Sequence, residues 1–469
     1  MIFNNKNNGS MPREDSFEKT IITMDNKMKY FSFTGIALCS LLATQSIYAA
    51  NDSLSYRLTH TKAGQHPYIQ QIFKEQIVLR NQGSPALRSC LATVTDKAPA
   101  KASMTLYVNY DRGWHAMQKL ANCYAKATGF QIKVEISPAG ENLASNFELK
   151  MKNGSAPDIV MWAHDRIGDW AQRGYLRPMR PSALVRYSVP LQTWEAGKYN
   201  NRYYGYPVAM ESSALIYNKA LLSSAPASFE AFAKLNLPQD VRPIEWDYTN
   251  TYFTHGLLAA NGGYAFKQTS SGWDAADVGV NNSGAVKGLQ GLVELINNHT
   301  LDAKATYGST MAGMLSGNVA AMINGPWTWK TLADAGIKFG VAPIPTIGGS
   351  AGKPFVGVLT YLVTSKSKYP QHAQQFIENY LMSEDGIALV DAEWALGGVL
   401  NISYVLNDSR DPLILDSLQV GIAGQLMPNI PEMSRFWSTM PSAIASAAAG
   451  TLSPQIALDN AANSIKTAK

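Results

Sequence analysis

Three cysteines, seven histidines and a charged fraction of 16% in 469 residues leave this chain few kinds of chemistry. The histidines, His60, His66, His115, His164, His255, His299 and His372, lie far apart with no ligand-like spacing, so a resident metal is not expected. A phosphate-cradling glycine loop, a dinucleotide fingerprint and a nucleophile elbow are all missing, and no cofactor is expected. The formal charge of +5 is small for the length, and no basic blocks are interleaved with aromatics. Nucleic acid is therefore not an expected partner. Long apolar runs are scarce too. The one that stands out, Tyr30 to Leu42, is shorter than the ~20 residues of a spanning helix. What remains is an ordinary globular composition, 46% hydrophobic, long enough for two or three domains.

That apolar run reads as an export signal. Lys27, Met28 and Lys29 form a basic lead, the run follows, and Ile47-Tyr48-Ala49-Ala50 supplies a small residue before cleavage. The true start is then expected at Met28. An uncleaved anchor and a lipoprotein with Cys39 as the lipidated residue are the alternatives; Leu38 stands where the latter wants a small residue. Removing the signal leaves Cys90 and Cys123, and two thiols in an oxidising compartment are expected to pair. The alternative is two unrelated buried thiols.

Residues 51–103 carry few apolar runs and end in the linker-like Lys97-Ala98-Pro99-Ala100-Lys101-Ala102. Within them the spacing of Ile69, Ile72, Phe73 and Ile77 predicts a short helix over Pro67–Arg80. From Met104 the pattern changes. A strand over Thr105–Val108, a helix over Trp114–Thr128 ended by Gly129, a strand over Gln131–Ile136, a helix over Leu143–Asn153 ended by Gly154, and a strand at Asp158–Val160 follow one another at crossover spacing. A right-handed parallel sheet is the expectation. A second α/β unit follows: a strand at Ala214–Tyr217, helices near Ser228–Leu235, Thr251–Ala260 and Ser283–Asn298, strands at Val319–Ile323, Phe339–Ala342 and Val358–Thr364, and a helix over Pro370–Leu381. From Leu413 the chain reads as helical, including Pro431–Ala449.

In open α/β sheets, ligands sit outside the carboxyl ends of the strands. There the first strand offers Asn109, Asp111 and Arg112, and the third offers Trp162, Asp165 and Arg166. Glu211 lies in an apolar run and needs a partner. Trp162, Trp327 and Trp437 sit near turns or element ends. Singly each reads as core; together with these polar groups they suit a ligand with C–H faces and hydroxyls, a sugar, held by charge-assisted bonds of roughly 1.5 to 3 kcal/mol each. Asp165 and Arg166 as a plain helix-end ion pair is the structural alternative. Glycoside hydrolysis by two of Asp111, Asp165 and Glu211 is the enzymatic one.

The stretches PDIVMWAHDRIGDWAQRGYL, YNKALL, AANGGYAFK, AMINGPWTW, KPFVGVL and MPNIPEMSRFW, in order between Met104 and Lys469, resemble the maltose/maltodextrin-binding proteins of bacterial ABC importers. The resemblance implies a two-lobed periplasmic binding protein fold of type II, each lobe α/β, with sugar held between the lobes and enclosed when they close. It implies lobe 1 over 104–210 with 362–410, lobe 2 over 211–361 with 411–469, a signal over 1–49 and an extension over 50–103 that has no counterpart in the family. It implies a monomeric, non-catalytic periplasmic receptor that delivers maltose or maltodextrin to the membrane subunits of an importer. Carried over by position, Asn109, Asp111, Arg112, Trp162, Ala163, Asp165, Arg166 and Glu211 face the sugar from the first lobe and hinge. Tyr252, Phe253, Trp327, Met427 and Trp437 supply the apolar wall. Arg112 stands where Lys is usual, Asn250-Thr251 replace Glu-Pro, Ser438 replaces Tyr, Pro441 replaces Arg, and the glutamate pair before the second helix is blurred into Gly140-Glu141-Asn142. The sugar class is expected to persist, and these departures bear on the preferred chain length or the affinity. A secreted sugar-binding protein without a transport role is the second reading.

Overall fold

A computed structural model describes residues 79–139, 141–270, 272–406 and 413–467. The export signal, Met28, and all of the helix expected over Pro67–Arg80 except Leu79 and Arg80 lie outside the described residues; those two are not helical. The chain runs through α1 (Pro85–Leu91), β1 (Met104–Asn109), α2 (Trp114–Thr128), β2 (Ile132–Ser137), α3 (Leu143–Asn153), β3 (Ile159–Ala163), α4 (Ile167–Gln172) and β4 (Gly205–Ser212). It continues with β5 (Ala214–Asn218), α5 (Thr251–Ala260), α6 (Ser283–Asn297), α7 (Tyr307–Ser316), β6 (Ala321–Asn324), β7 (Phe339–Ala342) and β8 (Phe355–Val363). It closes with α8 (Pro370–Phe376), α9 (Glu384–Glu393), β9 (Gly398–Val399), α10 (Leu413–Ala423), β10 (Gln425–Leu426), α11 (Met433–Ala448) and α12 (Pro454–Thr467). All belong to one unit, Ser53–Lys469.

The first sheet has the order β9-β4-β8-β3-β1-β2, with β10 pairing the head of β8. Its β1/β2 and β1/β3 ladders are parallel, as the spacing of the crossovers predicts. The return strand β8 enters antiparallel between β3 and β4. Strand alternation divides the core into two faces. Leu106, Val108, Ile159 and Met161 join one cluster with Met117, Leu120 and Tyr124 of α2. Tyr107 and Val160 point the other way, into Phe147 of α3, Trp170 and Leu362. Gly129 and Gly154 end α2 and α3 in left-handed conformation, as read from the sequence.

The second sheet is a three-stranded unit with β5 between β6 and β7, both antiparallel to it. Leu215 and Ile323 face α5, α6 and α11. Ile216 and Met322 face Met314 of α7 and Leu332. Only Ser213 separates β4 of one sheet from β5 of the other, which makes this point a hinge. Strand β8 lies in the first sheet along its whole length, so the chain returns to the first lobe before residue 362.

Several expected boundaries move. The helix near Ser228–Leu235 is one turn, Phe229–Phe232, because only those two rings are buried and Pro238 follows shortly. The helix over Pro370–Leu381 turns π at Ile377–Leu381. There the Glu378 carbonyl accepts from Asn81 Nδ2 at 3.1 Å and its carboxylate from Tyr206 Oη at 3.0 Å. The helical tail from Leu413 is broken by β10 and the segment up to Glu432. Cys123 of α2 is buried at 3% exposure, with its sulfur bonded to that of Cys90 in α1.

Candidate sugar-binding cleft

The site is built where β1, β3 and the hinge strands end. After β1 the chain turns at Gly113, whose positive φ of 68° suits glycine and whose absent side chain leaves room for the backbone of Val390 on α9. That turn aims Arg112 at β4. Its Nη1 lies 2.5 Å from Glu211 Oε1 and its Nη2 3.2 Å from Oε2, a two-pronged pair of largely buried groups. Glu211 thus has the partner its apolar surroundings demand. Burial still raises its carboxyl above the usual range, with Arg112 pulling it down. Asp111 lies beside the pair, its Oδ1 3.9 Å from Arg112 Nε and without a hydrogen bond among the described residues. Asn109 is half-buried at the tip of β1.

The second lobe supplies the aromatic wall. Asn250 caps α5 through its side chain to the Tyr252 amide at 3.1 Å, so in this chain that departure from the family pattern serves the helix. The cap sets Tyr252 and Phe253 against Trp327, with centroids 6.1 and 6.2 Å from it. The Tyr252 hydroxyl donates to the Glu211 carbonyl at 3.1 Å, and the Arg112 guanidinium sits 5.9 Å from the Trp327 ring centre. Phe253 is buried behind the wall, and Met427 is buried beside Gly357 and Ala163 at its floor.

At the other end, Trp437 donates its indole N–H to Asp165 Oδ2 at 3.0 Å. Pro441, one turn on in α11, has no N–H to offer the Trp437 carbonyl, so the helix is loosened just behind this ring. Ser438 is exposed and bonds back to the Arg435 carbonyl at 3.1 Å. Arg166 Nε lies 3.6 Å from the same Asp165 oxygen. Burial lifts the Asp165 carboxyl to about 6, against Arg166 and the indole. Trp162 packs with the Tyr107, Phe147 and Trp170 cluster, half-buried; its Nε1 and the Nε of Arg166 are buried without a hydrogen-bond partner among the described residues. Such groups suit a ligand that brings hydroxyls.

Sequence reasoning passed over four contributors. His164, noted there only as a scattered histidine, bonds the Met427 carbonyl through Nε2 at 2.8 Å and accepts the Val358 amide through Nδ1 at 2.9 Å. Burial lowers it to about 4, so it is a neutral bracket that ties the end of β3 to β8 and to the segment after β10. Phe355, inside the quoted KPFVGVL, meets Trp437 edge-on at 5.6 Å. Trp394 donates to the Trp327 carbonyl at 2.9 Å, and Tyr307 stacks on Phe253 at 6.4 Å. The last two have no local pattern that marks them.

A groove of ≈ 650 Å³ lies elsewhere, at the outer edge of the first sheet between β2 and α3. Its one aromatic, Tyr107, is covered by the Lys150 ammonium at 5.1 Å, so it offers no open face for a sugar ring.

Residues 109–387 match the family described as bacterial extracellular solute-binding protein. A maltodextrin-binding protein of Bacillus subtilis (strain 168) is 29% identical over 331 residues, covering 67% of this chain and 78% of that protein. A maltotriose-binding protein of Pyrococcus abyssi (strain GE5 / Orsay) is 30% identical over 355 residues, 71% of this chain and 76% of that protein. A maltooligosaccharide ABC transporter solute-binding lipoprotein of Streptococcus pneumoniae (strain ATCC BAA-255 / R6) is 26% identical over 401 residues, 81% of this chain and 93% of that protein. The matched stretch begins at Asn109, takes in the Arg112–Glu211 pair and the Trp327 wall, and spans more than half of the sequence; the chain belongs to the bacterial extracellular solute-binding protein family.

Proposed function

We propose that this protein is the exported receptor of an ABC importer and binds maltose or maltodextrins between its lobes without cleaving them. The carrying observation is the division of labour across the cleft. Buried or half-buried hydroxyl-seeking groups, Asp111, Asp165, Arg166 and the Arg112–Glu211 pair, come mainly from the first lobe. The rings of Tyr252, Trp327 and Trp437 come from the second. A glucan offers apolar C–H faces and equatorial hydroxyls, and needs both. Arg112 engages both oxygens of Glu211, which takes one of the three candidate carboxylates out of acid or nucleophile duty and favours binding over hydrolysis. The relatives with maltodextrin, maltotriose and maltooligosaccharide in their names support the sugar class, and one named for an ABC transporter supports the membrane partner. That relative is also a lipoprotein by name. Here Leu38 before Cys39 favours cleavage near Ala49 over lipidation, and the receptor is proposed to be a soluble periplasmic monomer. Calorimetry with glucose oligosaccharides tests the reading: a saturable heat with maltose or its longer homologues is expected, with no shorter sugars after prolonged incubation. Absence of binding, or product formation, refutes it.

A further inference from the structure

Two aromatics that no expectation named flank the same cleft. Tyr110 follows Asn109 at the end of β1 and is 37% exposed; Trp394 is half-buried just past α9. Their rings meet edge to face with centroids 6.1 Å apart. The Trp394 indole N–H is given to the Trp327 carbonyl, so its ring is fixed to the backbone of the residue that carries the central stacking ring. Tyr307, equally exposed, approaches from the N-terminal turn of α7, within electrostatic reach of Tyr110, Asp111 and Arg112. The contacts thus continue outward in one series. Trp437 bonds Asp165, Asp165 lies near Tyr252, Tyr252 packs on Trp327, Trp327 holds Trp394, and Trp394 meets Tyr110. The Tyr110 hydroxyl makes no hydrogen bond to another described residue. An open ring with an unengaged polar tip, beside a second ring already held in place, suits one more pyranose with little ordering cost.

We propose that Tyr110 and Trp394 form an outer subsite that takes a glucose ring beyond those between Trp437 and Trp327, so that longer maltodextrins bind more tightly than maltose. This rests on the reading of the cleft as a glucan site. The test is calorimetry on the full mature chain with maltose, maltotriose, maltotetraose and maltopentaose, for the wild type and Tyr110→Ala, with thermal melts to show that the variant folds. The wild type should gain about five- to tenfold in affinity between maltose and the longest chain, the scale of one added aromatic contact. In Tyr110→Ala that gain should collapse to less than about twofold, and Trp394→Phe, which keeps a ring but loses the indole N–H, should fall between. A Tyr110→Ala protein that keeps the gain, or loses the same factor at every length, overturns the outer subsite. Wild type that binds maltose with no gain in length also overturns it while leaving the glucan reading intact. Wild type that binds no member of the series refutes the glucan reading itself.

Discussion

Trp437 and Asp165 are joined by an indole N–H to carboxylate bond of 3.0 Å that runs from α11 in the second lobe to the turn after β3 in the first. The bond joins the two walls of the cleft. It places a carboxyl in surroundings where burial dominates, and the titration of that carboxyl near 6 makes the contact sensitive to pH.

The sign follows from linkage. The folded chain holds the Asp165 proton up to about 6, whereas an unfolded chain releases it near 3.8. Between these values folding is favoured by acid, and the contribution is lost as pH rises through about 6, amounting to roughly 3 kcal/mol by neutral pH. Asp165→Asn, which cannot ionise, should gain stability relative to wild type as pH rises from 4 to 7. Urea midpoints at several pH values measure this; a difference constant across the range would mean that Asp165 titrates normally.

Arg112→Met should destabilise the protein by about 3 to 5 kcal/mol, since Glu211 is left buried without its partner. Replacing both with methionine should recover most of that loss, because the desolvated carboxylate goes too. A double variant as unstable as the single would place the cost in lost packing around the guanidinium. Chemical denaturation of the three proteins decides.

Trp327→Ala should weaken sugar binding by roughly 2 to 4 kcal/mol, the scale of removing an aromatic anchor from a closed site. Its ring is the common neighbour of Tyr252, Phe253 and Arg112. An unchanged dissociation constant would return Trp327 to the core.

Much of this was legible because it is local. The parallel β1, β2 and β3, the glycine-ended α2 and α3, and the positions of Arg112, Asp165 and Trp327 at element ends all follow from short-range period and turn chemistry. What escaped is long-range. The entry of β8 between β3 and β4 joins residues about 150 to 200 apart in sequence, and the bracket made by His164 is as long-range. Trp394 looks like any residue after a helix until its bond to Trp327 is seen. Ser228 caps a real helix, but nothing local says that it lasts one turn.

The hinge at Ser213 predicts motion. Contacts between the lobes, among them Trp437 to Asp165, Tyr252 to the Glu211 carbonyl, Trp394 to the Trp327 carbonyl and Arg112 over the Trp327 ring, are polar. Sugar that engages both walls should hold the lobes together. Small-angle scattering should show a smaller radius of gyration at saturating maltodextrin; equal radii would count against a closing cleft.

The N-terminal extension should be a structural part of the first lobe. Cys90 in α1 and Cys123 in α2 are joined by a disulfide in the structure, closing a sequence separation of 33. Around it the Arg80 guanidinium pairs with Glu384 at 3.1 Å, Asn81 Nδ2 donates to the Met382 carbonyl at 3.0 Å, and Asn122 Nδ2 donates to the Thr95 and Lys97 carbonyls at 2.8 and 3.0 Å. Leu87 is buried among the residues of the first core. In the chain-entropy account, closing a loop of that size stabilises the fold by roughly 3 to 4 kcal/mol. Cys90→Ser/Cys123→Ser should therefore melt several degrees lower, with sugar affinity little altered because neither sulfur approaches the cleft. Alkylation of the exported protein without reduction, followed by mass spectrometry, tests the bond directly. Two alkylated cysteines would show that the thiols are unpaired and that the extension is held by its other contacts, those of Arg80, Asn81, Leu87, Arg88 and Asn122 among them.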